Sequence, residues 1–318
     1  MTLSNSTVAA IDIGGTNTVF ALIDRAGKIL VKSAVPTRSA ATPEEYVAGI
    51  AEELKRMSRG IRMEGVGIGA PNGNYFNGTI EFAPNLPWRG VIRLAELFRQ
   101  QLEVPAFVTN DANAAALGEL YFGAARRMRD FIFITLGTGL GSGIVVNGDL
   151  VYGHDGFAGE LGHTIIQQNG RDCGCGRRGC LEQYCSASGL VKTYIELLRN
   201  TNPEEPENIP SEHITSKWVF DKAMSGDENA FATFNYTGEL LGLALANSVA
   251  YTSPEAIFLF GGLANSGELL FKPTRLSFEK NLLSIYKGKV SLLPSGLPEN
   301  DAPLLGAASL AWNELEKK

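Results

Sequence analysis

The alternation of hydrophobic and polar residues predicts a β-β-β-α-β order for the N-terminal part of the chain. Apolar runs at residues 8–13 and 18–23 flank a glycine turn, a pattern typical of a β-hairpin. Residues 29–35 extend this sheet, a helix runs from Pro43 to about residue 59, and residues 65–69 return as a buried strand. We therefore expect this part of the chain to fold as an α/β unit.

The next segment combines an irregular stretch with a strand-to-helix junction. Residues 71–87 are rich in asparagine, glycine and proline and keep no regular periodicity, so they are predicted to form a functional loop. A helix at 91–102 and a strand at 106–108 follow. The next helix, at 112–122, has Asp111 as its predicted N-cap. This junction places a carboxylate between the end of a strand and the start of a helix.

The second half of the chain repeats the pattern of the first. Apolar runs at residues 131–135 and 144–146 flank a glycine-rich turn at 137–143, so a second hairpin is predicted. Further predicted elements are helices at 190–198, 231–250 and 302–315, a polar surface loop at 200–212 and a buried strand at 257–260. The repetition indicates a second α/β unit.

Length and composition fit a globular protein of two lobes. The 318 residues exceed what one hydrophobic core usually serves, and we expect a first lobe of residues 1–110, completed by residues 302–318, and a second lobe of residues 111–301. Hydrophobic residues make up 44% and charged residues 19% of the chain, which is typical of a soluble protein. The net charge of −6 argues against a nucleic-acid partner, because such binding depends on clustered Lys and Arg.

The cysteines and the N-terminus together predict a cytoplasmic protein. No secretory signal opens the chain, and no apolar run is long enough to span a bilayer, so no membrane partner is expected. The 4 cysteines all lie between Cys173 and Cys185. This clustering favours metal binding in a reducing compartment over a disulfide framework.

The segment from Asp12 to Asn17 reads Asp-Ile-Gly-Gly-Thr-Asn and is a candidate phosphate-binding turn. Glycines let backbone N–H groups approach phosphate oxygens, and Asp12 could hold a magnesium ion through water. An ordinary glycine hairpin with an aspartate in its turn would have the same sequence. Both interpretations stay open on these residues alone.

The segment from Leu136 to Gly143 contains four glycines but does not follow the G-x-G-x-x-G spacing of dinucleotide sites. The apolar residues after it favour a strand rather than a helix, so a nicotinamide site is not expected. Two glycine-threonine turns, one in each half of the chain, instead predict two phosphate loops on either side of a cleft.

Asp111 stands within Asn110-Asp-Ala-Asn113 and is a candidate general base. Phosphoryl transfer from ATP to a hydroxyl needs a base that takes the hydroxyl proton, and aspartate is a usual choice. The alternative is that Asp111 only caps the helix, and without further information the cap is the more common role.

Three cysteines and one histidine predict a structural zinc site. His163, Cys173, Cys175 and Cys180 supply one imidazole and three thiolates, the composition of a closed Cys₃His site. The alternatives are three reduced cysteines in a loop, or a Cys₄ site in which Cys185 replaces His163.

Two glutamates near this segment are candidate sugar ligands. Glu160 precedes His163, and Glu182 follows Cys180, which places both carboxylates close in sequence to the predicted metal loop at 163–185. Carboxylates commonly accept hydrogen bonds from sugar hydroxyls. Each glutamate taken singly is as well explained as a solvated surface residue.

Together these motifs resemble the ROK family of repressors, open reading frames and kinases, within the actin, sugar kinase and Hsp70 superfamily. The resemblance covers nearly the whole chain. The matching pieces, in order, are Asp12–Thr16, Gly69–Pro71, Asn85–Leu86, Asn110–Asn113, Leu136–Gly143, Gly159–His163, Cys173–Cys175 with Cys180, and Gly261–Gly262.

The resemblance implies a role for each matched residue. Asp111 would be the catalytic base, and His163 would bind zinc through one ring nitrogen and face the sugar with the other. The implied sugar ligands are Asn85, Asn110, Asp111, Glu160, His163 and Glu182. The implied nucleotide ligands are Asp12, Gly14, Gly15, Thr16, Asn17, Thr138, Gly139, Gly261 and Gly262. Asn72 departs from the family, in which many members carry glycine after the proline.

From the resemblance we expect a two-lobed, actin-like ATPase fold of the ribonuclease H-like type, with a cleft between the lobes and a small zinc-binding loop. The expected activity is transfer of phosphate from ATP, with Mg²⁺, to the 6-hydroxyl of glucose, as in the glucokinase branch of the family. N-acetylmannosamine and N-acetylglucosamine are the alternative acceptors. Family members are commonly homodimers or homotetramers, so one of these states is expected.

A sugar-responsive repressor is the alternative of a different class within the same family. Such repressors carry a helix-turn-helix domain ahead of the first phosphate loop, whereas only seven residues precede Val8 here. A sugar sensor without catalysis remains a further alternative. The intact Asp12, Thr16 and Asp111 favour a kinase.

Overall fold

The computed structural model describes residues 6–201, 213–298 and 301–317. These residues form two compact units: residues 6–128, 143–159, 296–298 and 301–317 belong to the first, and residues 129–142, 160–201 and 213–295 to the second. The predicted lobe boundary at residue 110 stays a prediction. Most of the predicted surface loop at 200–212 lies outside the described residues.

A mixed five-stranded sheet forms the centre of the first unit. Its strands are β1 (Ser6–Ile13), β2 (Asn17–Asp24), β3 (Ile29–Pro36), β4 (Arg62–Ala70) and β8 (Ala106–Asn110). Their order in the sheet is β3-β2-β1-β4-β8. Strands β1 and β2 are antiparallel, as are β2 and β3, whereas β1, β4 and β8 run parallel. A small sheet contains β5 (Gly73–Asn74), β6 (Thr79–Glu81) and β7 (Val91–Ile92).

The helices of the first unit are α1 (Pro43–Met57), α2 (Leu94–Leu102), α3 (Asp111–Phe122) and a last helix at Ala302–Glu316, labelled α9 below. Helix α1 illustrates why they form: Thr42 caps it by accepting a 3.2 Å hydrogen bond from the Glu45 N–H. Its residues Tyr46, Ile50 and Leu54 repeat at helical spacing and are buried.

Glycines allow α9 to lie directly on the sheet and on α3. A Cβ atom at Gly67 in β4 would lie 1.8 Å from the carbonyl oxygen of Ala307. A Cβ atom at Gly306 would lie 2.1 Å from the carbonyl oxygen of Ala114 in α3. Neither contact is compatible with a side chain, so these two glycines determine how closely α9 packs.

The second unit contains β9 (Phe131–Leu136), β12 (Ala256–Phe260) and β13 (Ser291–Pro294), which are parallel. Strands β10 (Leu140–Val146) and β11 (Asp149–Leu150) complete the order β11-β10-β9-β12-β13. The helices are α4 (Glu182–Cys185), α5 (Ala187–Thr201), α6 (Ser216–Met224), α7 (Glu228–Thr252) and α8 (Glu268–Asn281). Helices α7 and α8 pack closely, since a Cβ atom at Gly242 would lie 2.4 Å from the Thr274 carbonyl oxygen.

Three sequence-based expectations are corrected by the structure. The helix predicted at 91–102 starts only at Leu94, because Val91–Ile92 pair with β6. The loop predicted at 71–87 includes β5 and β6. Asp111 is the first residue of α3 rather than its N-cap: Asn110 has the extended backbone of a cap and accepts a hydrogen bond from the Ala112 N–H. Within the described ranges, no helix combines the length and hydrophobicity needed to cross a membrane.

Candidate active site

Asp12 and Asp111 lie at one edge of the first sheet. Asp12 is near the end of β1, and Asp111 follows β8, while β4 separates these two parallel strands. Gly69 of β4 is in register with Asp12, and a Cβ atom on it would lie 3.7 Å from the Asp111 Cα and 4.0 Å from Asp12 Oδ1. The glycine therefore leaves the space between the two acidic residues free of a side chain.

The environment of these carboxylates disfavours their ionisation. Burial raises the pKa of Asp12 to about 7, and repulsion from Asp111 adds to the effect. Burial also raises the pKa of Asp111, opposed by the Ala112 N–H, which donates to its Oδ1 at 2.8 Å. The Asp111 side chain still reaches solvent, so surrounding protein replaces only part of its hydration. Two such carboxylates can accept a proton and attract a divalent cation.

The pKa of Asp12 leads to a stability prediction for Asp12→Asn. The ordinary value is 3.8, so the unfolded chain ionises this group at a lower pH than the folded chain. In the wild type, the part of the folding stability that depends on a protonated Asp12 is fully present below about pH 4. This part is lost progressively as the pH rises to about 7. The variant lacks this loss and should be more stable above neutral pH by about 2 to 4 kcal/mol.

Thermal unfolding without nucleotide or divalent cation, measured from about pH 4 to about pH 8, checks this expectation. The Tm difference should grow with pH and then level off near pH 7. Asp149→Asn at an exposed position is the control and should show no such trend. A Tm difference that does not depend on pH would contradict the assigned environment of Asp12.

The first glycine turn joins β1 to β2 and contains the predicted nucleotide ligands Gly14, Gly15, Thr16 and Asn17. The Gly14 N–H donates to the Asn17 carbonyl oxygen at 3.0 Å, which closes a tight hairpin. Thr16 and Asn17 are exposed. The turn is therefore a short backbone loop whose side chains reach solvent next to Asp12.

Asn85 and Asn110, two predicted sugar ligands, both belong to the first unit. Asn85 is exposed and lies beside the first glycine turn, since a Cβ atom at Gly15 would be 3.3 Å from Asn85 Cβ. The Oδ1 atom of Asn110 accepts a 2.8 Å hydrogen bond from the Ala112 N–H. The amide Nδ2 of Asn110 is the side-chain group that can donate to a ligand, while Oδ1 serves the helix cap.

The second glycine turn, with Thr138 and Gly139, joins β9 to β10 in the second unit. The Gly137 N–H donates to the Gly139 carbonyl oxygen at 3.1 Å. Glu182 Oε2 accepts a 3.0 Å hydrogen bond from the Leu140 N–H, and a Cβ atom at Gly139 would lie 2.5 Å from the same oxygen. Glu182 therefore supports this turn, a contact that the sequence did not indicate.

Gly261 and Gly262 directly follow β12, and Gly261 lies beside the same turn. Gly261 has a φ of 99°, and a Cβ atom on it would lie 2.8 Å from the Leu136 carbonyl oxygen. The Leu263 N–H donates to that oxygen at 3.2 Å. The structure thus places Gly261 next to the end of β9, where the second glycine turn begins.

Glu160 and His163 lie on a short 3₁₀ turn that packs against β10. The Leu161 N–H donates to Ser142 Oγ at 3.2 Å, and a Cβ atom at Gly162 would lie 2.2 Å from the Leu140 carbonyl oxygen. The two ring nitrogens of His163 have different neighbours: Nδ1 lies 3.6 Å from Cys173 Sγ, and Nε2 lies 4.0 Å from Glu160 Oε2.

The four predicted metal ligands are close together in the second unit. The ligand atoms of His163, Cys173, Cys175 and Cys180 all lie within 4.8 Å of one another. Cys185 is buried elsewhere, where its Sγ donates to the Thr237 carbonyl oxygen at 3.5 Å. Among the described residues the cluster therefore contains His163 and not Cys185, in agreement with the Cys₃His set.

Comparisons with known proteins give the family. A family model for the ROK family matches residues 8–314. The glucokinase of Thermotoga maritima is 36% identical over 309 residues, which cover 94% of this chain and 95% of the relative. The glucokinase of Streptomyces coelicolor is 37% identical over 310 residues, which cover 95% of this chain and 96% of the relative.

A solved structure shows the same fold. A ROK family glucokinase from Streptomyces griseus, in complex with glucose and AMPPNP, superposes with a TM-score of 0.80 at 36% identity, covering 96% of this chain and 99% of that chain. The mixed α/β sheets and helices of this chain thus match those of a ROK kinase structure. The chain belongs to the ROK family, and the predicted resemblance and actin-like ATPase fold class are confirmed.

Proposed function

We propose that this chain is an ATP-dependent glucokinase that phosphorylates the 6-hydroxyl of glucose with Asp111 as general base. The observation that carries the proposal is the position of Asp111 at the sheet edge beside Asp12, with its pKa raised by burial. The glucokinases of similar sequence and the structure containing glucose and AMPPNP support the choice of reaction.

The proposed step transfers one proton and one phosphoryl group. The 6-hydroxyl oxygen of glucose attacks the γ-phosphorus of ATP, its proton passes to an Asp111 carboxylate oxygen, and the bond to the bridging oxygen of ADP breaks. A carboxylate whose pKa is raised is a stronger proton acceptor than an ordinary aspartate. When bound, Mg²⁺ would neutralise charge on the transferred phosphate, and Asp12 is the residue assigned to hold it.

The glycine turns are assigned to the nucleotide. Backbone N–H groups can approach phosphate oxygens closely where side chains are small. In the proposal, the phosphate ligands are Gly14, Gly15, Thr16, Asn17, Thr138 and Gly139, and the adenosine ligands are Gly261 and Gly262.

The sugar is assigned to Asn85, Asn110, Asp111, Glu160, His163 and Glu182. Because one carboxylate oxygen of Glu182 accepts from Leu140, this residue would bind sugar with its other oxygen while it supports the glycine turn. His163 would use Nε2, the nitrogen directed away from the cysteines. Asn72, which stands where many family members carry glycine, has a φ of 51°.

The Cys₃His cluster is assigned to a structural zinc ion. Three thiolates and one imidazole suit Zn²⁺, which prefers four sulfur or nitrogen ligands in closed sites. Bound zinc would hold the ring of His163 in place, since its Nδ1 atom faces the cysteines. A homodimer or homotetramer and a cytoplasmic location belong to the same proposal, supported by the family resemblance and the clustered cysteines.

We expect a strong preference for glucose over N-acetylmannosamine and N-acetylglucosamine. A site that hydrogen-bonds a hydroxyl discriminates against analogues that leave its buried polar groups unpaired. At saturating MgATP, kcat/KM for glucose should exceed that for either N-acetylhexosamine by at least about tenfold, or about 1.4 kcal/mol. A coupled ADP-release assay over a sugar panel measures the ratio.

The outcomes of this assay separate the alternatives. A tenfold preference for an N-acetylhexosamine would reject glucose but retain the kinase. Sugar binding by calorimetry without ADP release from any sugar would instead indicate a sugar sensor.

A further inference from the structure

Thr37 holds the first glycine turn from behind through two hydrogen bonds. It directly follows β3 and is fully buried. Its Oγ1 donates to the Gly14 carbonyl oxygen at 2.7 Å, and its backbone N–H donates to the Thr16 carbonyl oxygen at 2.9 Å. No motif or spacing in the sequence pointed to this residue, which lies outside the turn itself.

The Thr37 hydroxyl belongs to a chain of three buried hydroxyls. Thr37 Oγ1 lies 3.0 Å from Thr18 Oγ1, and Thr18 Oγ1 also bonds to the Tyr46 hydroxyl. Thr18 is fully buried and Tyr46 is 2% exposed, so protein atoms surround these groups. Each hydroxyl can donate only one proton.

The donors and acceptors available on these groups fix the direction of each hydrogen bond in this series of hydroxyls. The Gly14 carbonyl can only accept, so Thr37 must donate to it. The single proton of Thr37 is then used, and Thr18 must donate to Thr37; for the same reason Tyr46 donates to Thr18. Burial raises the pKa of Tyr46, which keeps its hydroxyl protonated as this donor requires.

Fixing the two carbonyls also fixes the N–H groups of the turn. A peptide unit is planar and trans, so its carbonyl and the following N–H point in opposite directions. The hydrogen bond to the Gly14 carbonyl therefore directs the Gly15 N–H away from Thr37, toward the opposite side of the turn. The bond to the Thr16 carbonyl constrains the Asn17 N–H in the same way.

The Tyr46 hydroxyl, which is the first donor in this series of hydroxyls, is itself held in place. Tyr46 is on α1, and its ring packs against Trp88 with centroids 4.6 Å apart. Trp88 follows Asn85 in the same loop. The hydroxyl chain thus connects the glycine turn to a rigid helix and to the loop that carries Asn85.

We propose that Thr37 is a positioning residue for the nucleotide, and that its hydroxyl orients the peptide between Gly14 and Gly15 so that the Gly15 N–H can contact phosphate. This inference rests on the proposed function, because it requires that the turn bind ATP. It does not depend on which sugar is the acceptor.

Thr37→Val, which keeps the shape but removes the hydroxyl, tests the proposal. We expect KM for MgATP to rise about tenfold, because the Gly14 carbonyl loses its partner and the turn is no longer held. KM for glucose and kcat should change by less than about twofold. Thr37→Ser retains the hydroxyl and should restore most of the affinity for MgATP.

The control is Thr274→Val in α8. Thr274 is also fully buried, and its Oγ1 also donates to a backbone carbonyl, that of Leu270, at 2.7 Å. It should change stability without changing either KM. A Thr37→Val enzyme with unchanged KM for MgATP, or with Thr37→Ser no better than Thr37→Val, would overturn the proposal.

Two further measurements cover the cases in which the kinetics of Thr37→Val cannot be measured. If Thr37→Val does not fold, Thr37→Ala removes the same hydroxyl with a smaller side chain and should also raise KM for MgATP selectively; an unchanged KM would overturn the proposal. If the wild-type protein transfers no phosphate, the proposed function fails, and calorimetry with AMPPNP decides the role of Thr37 separately: weaker binding by Thr37→Val supports it, and equal binding overturns it.

Discussion

Asp111→Asn should fold normally and still bind glucose, while its turnover falls by a factor of about 100 to 10,000. The amide oxygen of asparagine can still accept from the Ala112 N–H, and Asn110 still caps α3. The amide cannot take the proton of the attacking hydroxyl, so the loss should appear in kcat. Coupled ADP release measures turnover, and calorimetry measures glucose binding.

Asp227→Asn is a matched control for this variant. Asp227 also stands at a helix start, where it accepts a 2.8 Å hydrogen bond from the Ala230 N–H, but it lies outside the proposed site. Its replacement should leave turnover near the wild-type value. A folded Asp111→Asn enzyme with nearly normal turnover would exclude Asp111 as the base.

The second large effect concerns the cysteine cluster. We expect the purified wild-type protein to contain zinc, and Cys175→Ser to lose most of the metal and most of the activity. The reason is that metal binding at a closed site contributes directly to local folding, and the proposed sugar ligands Glu160 and His163 lie on the same segment as the cluster. Elemental analysis and the kinase assay give the two readouts.

Cys185→Ser is the matched control, because Cys185 is a buried cysteine whose Sγ donates to a backbone carbonyl outside the cluster. It should retain full metal content. Loss of zinc from Cys185→Ser together with retention in a His163→Ala variant would instead support the Cys₄ alternative.

The sequence predicted best those features that depend on neighbouring residues. The hairpin of β1 and β2 follows from two apolar runs around paired glycines, and no distant contact is needed to specify it. The closeness of the cysteines was similarly predictable, because three of them lie within one short segment; the structure brings them together with His163, and their role as metal ligands stays a prediction.

Features that depend on distant residues could not be predicted in this way. The clearance that Gly69 provides beside Asp12 and Asp111 exists only once β1, β4 and β8 are in register. The contact between Glu182 and the Leu140 N–H joins residues far apart in sequence. Asn110 and Asp111 are both good cap residues, and only the backbone geometry shows that Asn110 is the cap.

The packing of α9 on Gly67 has a consequence for synthesis of the protein. Residues 302–316 are made after the whole of the second unit, yet they cover β4 and α3 of the first. During translation the second unit can therefore complete its core while the first still exposes the apolar surface that α9 will occupy. The first unit therefore reaches its final packing only after the last helix has been made, later than the second unit can.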